Sequence, residues 1–372
     1  VEKIANVVTD NSYHATAKII SSTSGQSISH GGAWLLVQRL GERISDEETS
    51  RVKEMNATGG TGTKELKLLF EEMDGVWLKM QGKGHKKLPK QEMKVATMYE
   101  GWEDDGHSCS RLHGKTVIAG MEKSEEFHAK REARIRSIYN ADEIAIRVLN
   151  GDGGSWIKDP YEPETVFQLD RFHIQQCIKK KIVPQEVQSK ISHLFEEGRY
   201  DEMLEYISIY ADSVESDDEK DKSSKKAREL FEYLNNNKEG LVPWQKQRND
   251  YPEAPKGVVY KNMGVQENQN CTVITLRMKD GRRRWSTGGA DNMAKVLTCR
   301  ENNELADTID RYTDGMLMAE PVQEILEILS AAKAPKKDGK GNPYLDLLNH
   351  HMPIFDVMQT NARKIFRKAF CY

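Results

Sequence analysis

The stretch Glu143-Ile-Ala-Ile-Arg-Val-Leu-Asn-Gly-Asp-Gly-Gly-Ser-Trp-Ile-Lys158, followed by Thr165-Val-Phe-Gln-Leu-Asp-Arg-Phe-His-Ile174, decides the fold. Residues 143–149 and 165–169 are rich in β-branched and apolar side chains and read as two strands. Between them, residues 151–158 form a tight turn that opens a short helix, and a helical pattern resumes at Arg171. Upstream, residues 68–80, 93–99 and 115–121 read as three more strands, with a polar loop over 101–113. A helix over 124–140 follows, its buried side supplied by Phe127, Ile135, Ile138 and Tyr139. Three strands, a helix, a strand, a turn, a strand and a helix specify an α/β fold with a mixed sheet.

That order brings particular acids together. Asp74 lies in the middle of the first strand, and Asp152 just beyond the C-terminal end of the fourth. In a mixed sheet of the ribonuclease-H type these strands are neighbours, so the two carboxylates meet at one edge. A third acid on a later helix would complete a set of hard oxygen ligands suited to Mg²⁺ or Mn²⁺. Two such ions, ~3.5–4 Å apart, clamp the attacking and leaving oxygens of a phosphodiester. Gly151, Gly153 and Gly154 beside Asp152 permit close approach of a nucleic-acid backbone, although Asp-Gly pairs also serve as ordinary turns. In Asp170-Arg-Phe-His173 the aspartate caps a helix and the histidine falls on its first turn. A cap beside a surface histidine would look the same. Gln176 and Cys177 do not supply the second histidine of a zinc-protease helix.

Outward from this core, residues 13–20, a Ser/Thr/Gly-rich break over 21–25, and residues 27–38 give helix, turn, helix. Ile28, Ala33, Trp34 and Val37 lie about one helical turn apart. The pattern suits a helix-turn-helix over residues 1–56; an ordinary helical hairpin suits it equally. A Gly/Thr-rich loop over 57–63 precedes a first core segment, 64–183. Residues 184–256 turn helical and strongly charged, with Leu194, Met203, Leu204, Ile207 and Tyr210 core-facing and the acidic run Glu215-Ser-Asp-Asp-Glu-Lys-Asp221 solvated. Residues 257–300 show no clear periodicity, and 301–372 carry helical patterns at 322–332 and 356–370 around a Lys/Gly-rich linker.

Composition narrows the function. The 372 residues are 37% hydrophobic and 30% charged with a mean hydropathy of −0.71, polar overall yet too periodic for global disorder. No run of ~18 uncharged apolar residues exists, which excludes a transmembrane helix. Five scattered cysteines without a C-x-x-C pair argue against a disulfide framework or zinc knuckle and for a reducing cytoplasm. A net charge of −3 excludes a globally basic coat and leaves room for a local patch. Arg277, Lys279, Arg282, Arg283 and Arg284, followed by Trp285, form one candidate, able to hold phosphates and stack on a base unless the loop is merely solvated. Trp156 either faces DNA or anchors its helix. Lys179, Lys180 and Lys181 suit a helix C-terminus. Val1-Glu2-Lys3 carries neither an initiator Met nor a signal-peptide profile, as in a fragment.

The run from Val148 to Lys158 and the pair Asp170/His173 within Phe167 to Ile174 resemble the core of the ISLre-type bacterial insertion-sequence transposases, relatives of the Mutator and hAT groups. Met263-Gly-Val-Gln-Glu-Asn-Gln-Asn270, with Thr275 to Lys279, Arg284-Trp-Ser286 and Gly289 to Ala294, resembles their third-acid region, which in the family reads nearer to Glu-Ser-Asn. The resemblance spans about residues 1–300. It implies a ribonuclease-H-like DDE core with Asp74, Asp152 and Glu267 as Mg²⁺ or Mn²⁺ ligands. Asp170 and His173 would be a supporting pair, and 184–256 an all-α insertion before the segment, 257–300, that carries the third acid. It further implies DNA cleavage and strand transfer at transposon ends by a dimer or higher assembly in the bacterial cytoplasm. A nuclease that does not join ends, and a DNA-binding protein without catalysis, are the competing classes.

Overall fold

The central strand of the protein, β1 (Leu68–Gln81), is buried on both faces through its first half and on one face through its second. In the computed structural model the described residues are 1–24, 27–104, 111–158, 165–214, 222–279, 281 and 283–318, the side chains of 313–318 excepted. The acidic run Glu215 to Asp221, Arg282 and the helical patterns expected over 322–332 and 356–370 lie outside them.

Beside β1 stand β2 (Lys87–Tyr99), β3 (Thr116–Gly120), β4 (Ile146–Gly151) and β5 (Val166–Leu169) in the spatial order β3-β2-β1-β4-β5. The pairs β1/β2 and β2/β3 are antiparallel, whereas β1/β4 and β4/β5 are parallel. The second strand begins six residues before its expected start, because the polar stretch after Lys87 still pairs with β1. Gly101–Glu103, Leu112–His113 and Val258–Val259 form a separate three-stranded sheet.

Alternation along β1 and β2 sends their side chains to two layers. Val76, Leu78, Met80, Met93 and Val95 share one core cluster with Val37, Leu40 and Ile44 of α3 (His30–Thr58) and with Ala290, Met293 and Leu297 of helix 287–301. On the other side Leu69, Met73, Ala96 and Met98 meet Phe127 and Ile135 of α4 (Ser124–Ile138). Each such fully buried side chain contributes about 1.5–3 kcal/mol.

The N-terminal segment belongs to this core. It holds α1 (Glu2–Asp10), α2 (Tyr13–Thr23), capped by the Ser12 hydroxyl accepting from Ala15 N, and α3, capped by Ser29 accepting from Gly32 N. Instead of ending near residue 38, α3 continues for 29 residues and stops at Gly59, which takes a left-handed φ of 81°. At Gly41 the backbone lies so close that an added Cβ would sit 2.5 Å from the Asn292 Cα. The second helix of this pattern packs one side into the core, with Ala33 and Val37 buried and Trp34 exposed.

After β4 and the short α5 (Ser155–Lys158), the chain enters α6 (Arg171–Lys181), α7 (Gln185–Glu196), α8 (Tyr200–Ser213) and α9 (Ser223–Asn236). Their apolar faces, including Ile178, Ile191, Leu194, Met203, Ile207 and Leu234, close a cluster of their own. α10 (Trp244–Gln247) leads to α11 (266–278), an α-helical turn, a π-helical stretch Asn270–Thr275 and a final α-helical turn. α12 (Thr287–Glu301) and α13 (Leu305–Met318) complete the described chain. The segment without clear periodicity thus holds two helices, and ten successive residues of α12, Gly289–Cys299 apart from Asp291, are buried, which erases any amphipathic signal.

A buried ion cluster locks the helical layers. Lys295 on α12 donates to the Ala119 carbonyl (2.9 Å) and pairs with Glu48 of α3 (2.8 Å) and with Glu122 (3.1 Å). Lys130 of α4 reaches the same Glu122 at 3.0 Å. Burial alone would lower the pKa of Lys295; the carboxylates of Glu48 and Glu122 outweigh it and hold the ammonium charged. No helix of the described residues is long and apolar enough to cross a membrane.

The α4–β4 contact yields a pH test. Arg147 grips Glu132 with a two-pronged pair of bonds at 2.7 and 2.9 Å, and Arg136 adds one at 2.9 Å. Burial works to raise Glu132, but the Arg147 fork overrides it and brings the carboxyl from 4.5 down to about 2. A depressed carboxylate stabilises the fold above its unfolded pKa, and the contribution is lost as pH falls through the folded value. Wild type is expected to lose on the order of 2 kcal/mol between about pH 4.5 and 2 through this group. Glu132→Gln should lack that component in urea unfolding measured at pH 7, 4.5 and 2.5. Parallel curves for the two proteins would sink this reading.

Candidate metal site at the end of the central strands

In the parallel β1/β4 pair, Glu72 lies opposite Asn150 and Met73 opposite Gly151. Asp74 and Asp152 come next on adjacent strands, two residues beyond a buried polar pair on the same strands. β4 ends at Gly151, and Asp152 opens a turn in which its Oδ1 accepts from Gly154 N at 2.9 Å. The Tyr233 hydroxyl of α9 donates to the Asp152 carbonyl at 3.0 Å, so the helical insertion braces this turn. Gly153 is required there: its φ is 81°, and an added Cβ would meet Asn237 Oδ1 at 2.5 Å.

The second contribution comes from the start of α6. Asp170, 3% exposed, accepts from the N–H groups of Phe172 (2.7 Å) and His173 (3.1 Å), as a helix cap should. The cap turns the His173 ring toward the strands. Its Nε2 lies 3.8 Å from Asp74 Oδ1 and 3.8 Å from Glu267 Oε1, while Nδ1 faces Asp170 Oδ1 at 3.6 Å.

The third comes from α11, whose first turn is held by a residue far back in the chain. Glu72 on β1 is fully buried, and its carboxylate accepts from the N–H groups of Gly264 (3.0 Å), Val265 (3.1 Å) and Gln266 (3.3 Å). The Tyr99 hydroxyl (2.6 Å) and Asn150 Nδ2 (3.0 Å) also donate to it. A negative charge at a helix N-terminus is favourable, and here it satisfies three N–H groups that the helix leaves open. Burial pushes the Glu72 carboxyl up and the nearby Asp170 charge adds to this, while the Tyr99, Gly264 and Val265 donors oppose it. Asn150 Nδ2 also donates to Asp170 Oδ2 at 2.9 Å, so one amide ties the α11 anchor to the α6 cap. Glu267 then falls on the first turn of α11, and Asn270, one turn on, donates to Asp74 Oδ2 at 2.6 Å.

One ligand atom from each of Asp74, His173 and Glu267 lies within 4.8 Å of the others, a grouping able to hold a metal ion. The side chains are 13%, 21% and 42% exposed, shielded at the strand and open at the helix. Burial raises Asp74 to about 6, with Asp152 and Glu267 adding to the effect and His173 opposing it. The Asp170 carboxylate raises His173 to about 9 against the effect of burial, and the charge of Asp74 adds to it. The site therefore concentrates negative charge and draws in positive charge.

Of the residues expected here, Asp74 and Glu267 meet, and His173, expected beside the ligands, stands among them. Asp152 lies within electrostatic reach of Asp74 and His173 but outside the 4.8 Å group, its carboxylate engaged by Gly154. Trp156 is half-buried and packs on Phe127 and His128, which makes it a helix anchor. The basic loop needs correction. Arg277 is 3% exposed, donates to the Val8 carbonyl at 2.7 Å and lies over the rings of Tyr13 and Trp285; burial lowers it to about 10. Trp285 is buried, with its indole N–H on the Met278 carbonyl. Arg283 is half-buried and donates to the carbonyls of Leu276 and Arg277. Lys279 and Arg284 alone of the described members are exposed. Val8 of α1 and Tyr13 of α2 enclose Arg277, while Trp285 is bonded to the end of β1 and to the Met278 carbonyl of α11. Glu72, Asn150 and Asn270 were not anticipated; strand parity, two residues before each aspartate, was the available signal for the first two.

Residues 1–310 match an uncharacterised protein family, UPF0236, and the chain belongs to that family. A relative described as UPF0236 protein in vanSb 3'region, from Streptococcus gallolyticus, is 23% identical over 315 residues. The aligned region is 81% of this chain and 63% of that relative, so the chain spans less than two thirds of the relative's length.

Replacing Glu72 by Gln keeps the shape but sets an amide N–H₂ against a shell made only of donors. Loss of charge-assisted bonds in a fully buried site is expected to cost about 2–4 kcal/mol in urea unfolding. Amide exchange at Gly264, Val265 and Gln266 should accelerate more than in the sheet. Unchanged protection at these three amides would refute the anchoring role.

Proposed function

We propose that this chain is the core of a DDE-type DNA transposase, cutting DNA and joining strands with the help of Mg²⁺ or Mn²⁺. The observation that carries the reading is the position of three acids at one end of a sheet ordered 3-2-1-4-5: Asp74 on the central strand, Asp152 after its parallel neighbour, and Glu267 on a helix beyond an all-helical insertion. That arrangement supports a ribonuclease-H-like fold. The family is shared with the relative from Streptococcus gallolyticus, whose printed description names no activity.

The donor set fits a hard divalent cation. It is dominated by carboxylate oxygens, it is partly exposed through His173 and Glu267, and Asp74 is raised to about 6 by burial and by negative neighbours that a cation would relieve. Asp74 and Glu267 would hold the ion, with Asp152 within electrostatic reach and His173 beside them. When bound, such an ion lowers the pKa of a water and neutralises charge developing on the phosphoryl oxygens.

The side chains of the chain perform the rest. Asn270 holds the Asp74 carboxylate in one orientation through Oδ2. Asp170 fixes the His173 ring by its Nδ1 side and leaves Nε2 facing Asp74 and Glu267. The imidazolium there offsets the repulsion between the acids and offers an N–H to a phosphate oxygen entering the cleft. Hydrolysis at a transposon end and attack of the freed 3′-hydroxyl on target DNA are both in-line displacements, so one carboxylate cluster serves both. Joining two ends calls for two or more copies of the chain on DNA.

Incubated with duplexes carrying the ends of its own element and Mn²⁺, the wild type should produce nicked ends and then joined products. Asp74→Asn and Glu267→Gln should each lower cleavage at least 100-fold while leaving the urea midpoint within a few tenths of a molar. Equal cleavage by wild type and Glu267→Gln would remove Glu267 from the site, and no cleavage by the wild type would defeat the reading.

A further inference from the structure

We propose that the β1–β2 hairpin, with Arg284 beside it, is a docking surface for the phosphate backbone of duplex DNA on its way to the acid cluster. The choice of DNA rests on the function proposed above; the cationic character of the surface does not. Between Asp74 and Glu92 the chain holds Lys79, Lys83, Lys86, Lys87 and Lys90 and no acid. All five are exposed, and among the described residues none is in an ion pair. Several cations elsewhere are matched, Lys295 and Lys130 by Glu48 and Glu122, Arg147 by Glu132, and Arg199 by Glu197 and Glu202, so what sets the hairpin apart is five exposed lysines gathered with no acid among them. In a chain of net charge −3, a solvated face would be expected to mix both signs, and this one does not.

The fold joins Arg284 to the same surface. Trp285 N donates to the Lys79 carbonyl at 3.0 Å and Gln81 N to the Trp285 carbonyl at 2.8 Å, so the segment from Arg283 runs along the end of β1. Lys79, Lys87, Lys90 and Arg284, with Met80 and Leu88, thereby line a hollow of about 340 Å³. Four cations around one hollow suit a polyanion that presents successive phosphates. Trp77 is 53% exposed, lies two residues before Lys79 on the same face, and pairs across the sheet with Glu92, a residue within electrostatic reach of Asp152. It bridges the lysines and the acids. At ~3.3 Å per residue the hairpin carries these charges up to roughly 30 Å from Asp74, the length of nearly one turn of duplex.

The test is fluorescence anisotropy of a labelled 30-base-pair duplex of arbitrary sequence with the full chain, in EDTA, across 50–200 mM KCl. Six engaged cations predict a log-log salt slope near −5, at ~0.9 per phosphate. The variant Lys83→Gln/Lys86→Gln/Lys87→Gln/Lys90→Gln should have a slope shallower by about 3–4 and bind at least 30-fold more weakly at 100 mM salt. Trp77→Ala should weaken binding severalfold with the slope unchanged. Equal charge removal on the insertion, Lys190→Gln/Lys222→Gln/Lys225→Gln/Lys226→Gln, should leave both quantities as in wild type. Wild-type slope and affinity in the hairpin variant, an equal loss in the insertion variant, or hairpin-dependent binding of phosphatidylserine vesicles or an RNA hairpin in place of the duplex would each overturn the proposal. Hairpin-dependent DNA binding without Mn²⁺ cleavage would overturn the catalytic reading and leave this one standing; cleavage with hairpin-independent binding would do the reverse.

Discussion

A single buried carboxylate, that of Glu72, holds the two separated parts of the sheet-and-helix core in register. A charge in the interior costs several kcal/mol unless its lone pairs are filled, and here strand β2, strand β4 and the first turn of α11 each supply donors. Because three of those donors are consecutive backbone N–H groups, the start of α11 is set to within a hydrogen-bond length. The face carrying Glu267 and Asn270 then has little choice about where it meets Asp74. Through Asn150 the same carboxylate is coupled to Asp170, and through Asp170 to the ring of His173. The cluster at the surface and its support are one connected system, in which loosening the buried end loosens the exposed one.

Much of this could be read from residues alone. Strand periodicity put Asp74 inside one strand and Asp152 just after another; their adjacency was expected only from a ribonuclease-H-type sheet, and the parallel β1/β4 pair supplies it, while Asp170 announced itself as a helix cap by its position after an apolar strand. What escaped reading was long-range. Glu72 sits in Glu71-Glu-Met-Asp74, where successive acids look like a solvated edge, and its partners are backbone groups 192 to 194 residues away that leave no local trace. Arg277 and Trp285 belong to a run of arginines that resembles a phosphate clamp; long-range packing, of Arg277 on α1 and of Trp285 on the end of β1, makes them interior residues. The reach of α3 to Thr58 was hidden because its later turns are charged on the outward side while Ile44 and Glu48 point in.

Cations in this protein fall into two groups by their surroundings. Lys295, Lys130 and Arg277 are enclosed and donate to carboxylates or to a carbonyl within the fold, and they tie α1, α3, α4 and α12 to the core. The hairpin lysines organise nothing within the fold. A basic residue's neighbours in sequence therefore say less about its duty than whether the chain gives its charge an answer, and the arginine loop and the lysine hairpin are opposite cases of that rule.

The insertion between β5 and α11 has a temporal consequence. The five strands of the main sheet have all been synthesised by Leu169, yet the amides that enclose Glu72 begin at Gly264. At ~10 residues per second on the ribosome, the nascent sheet spends some ten seconds with an uncovered acid at its centre. During that interval the helical insertion can fold on its own apolar cluster, while the acids of the cleft remain one short. The acid cluster is completed only when Glu267 arrives, after the helical body that precedes it in the chain.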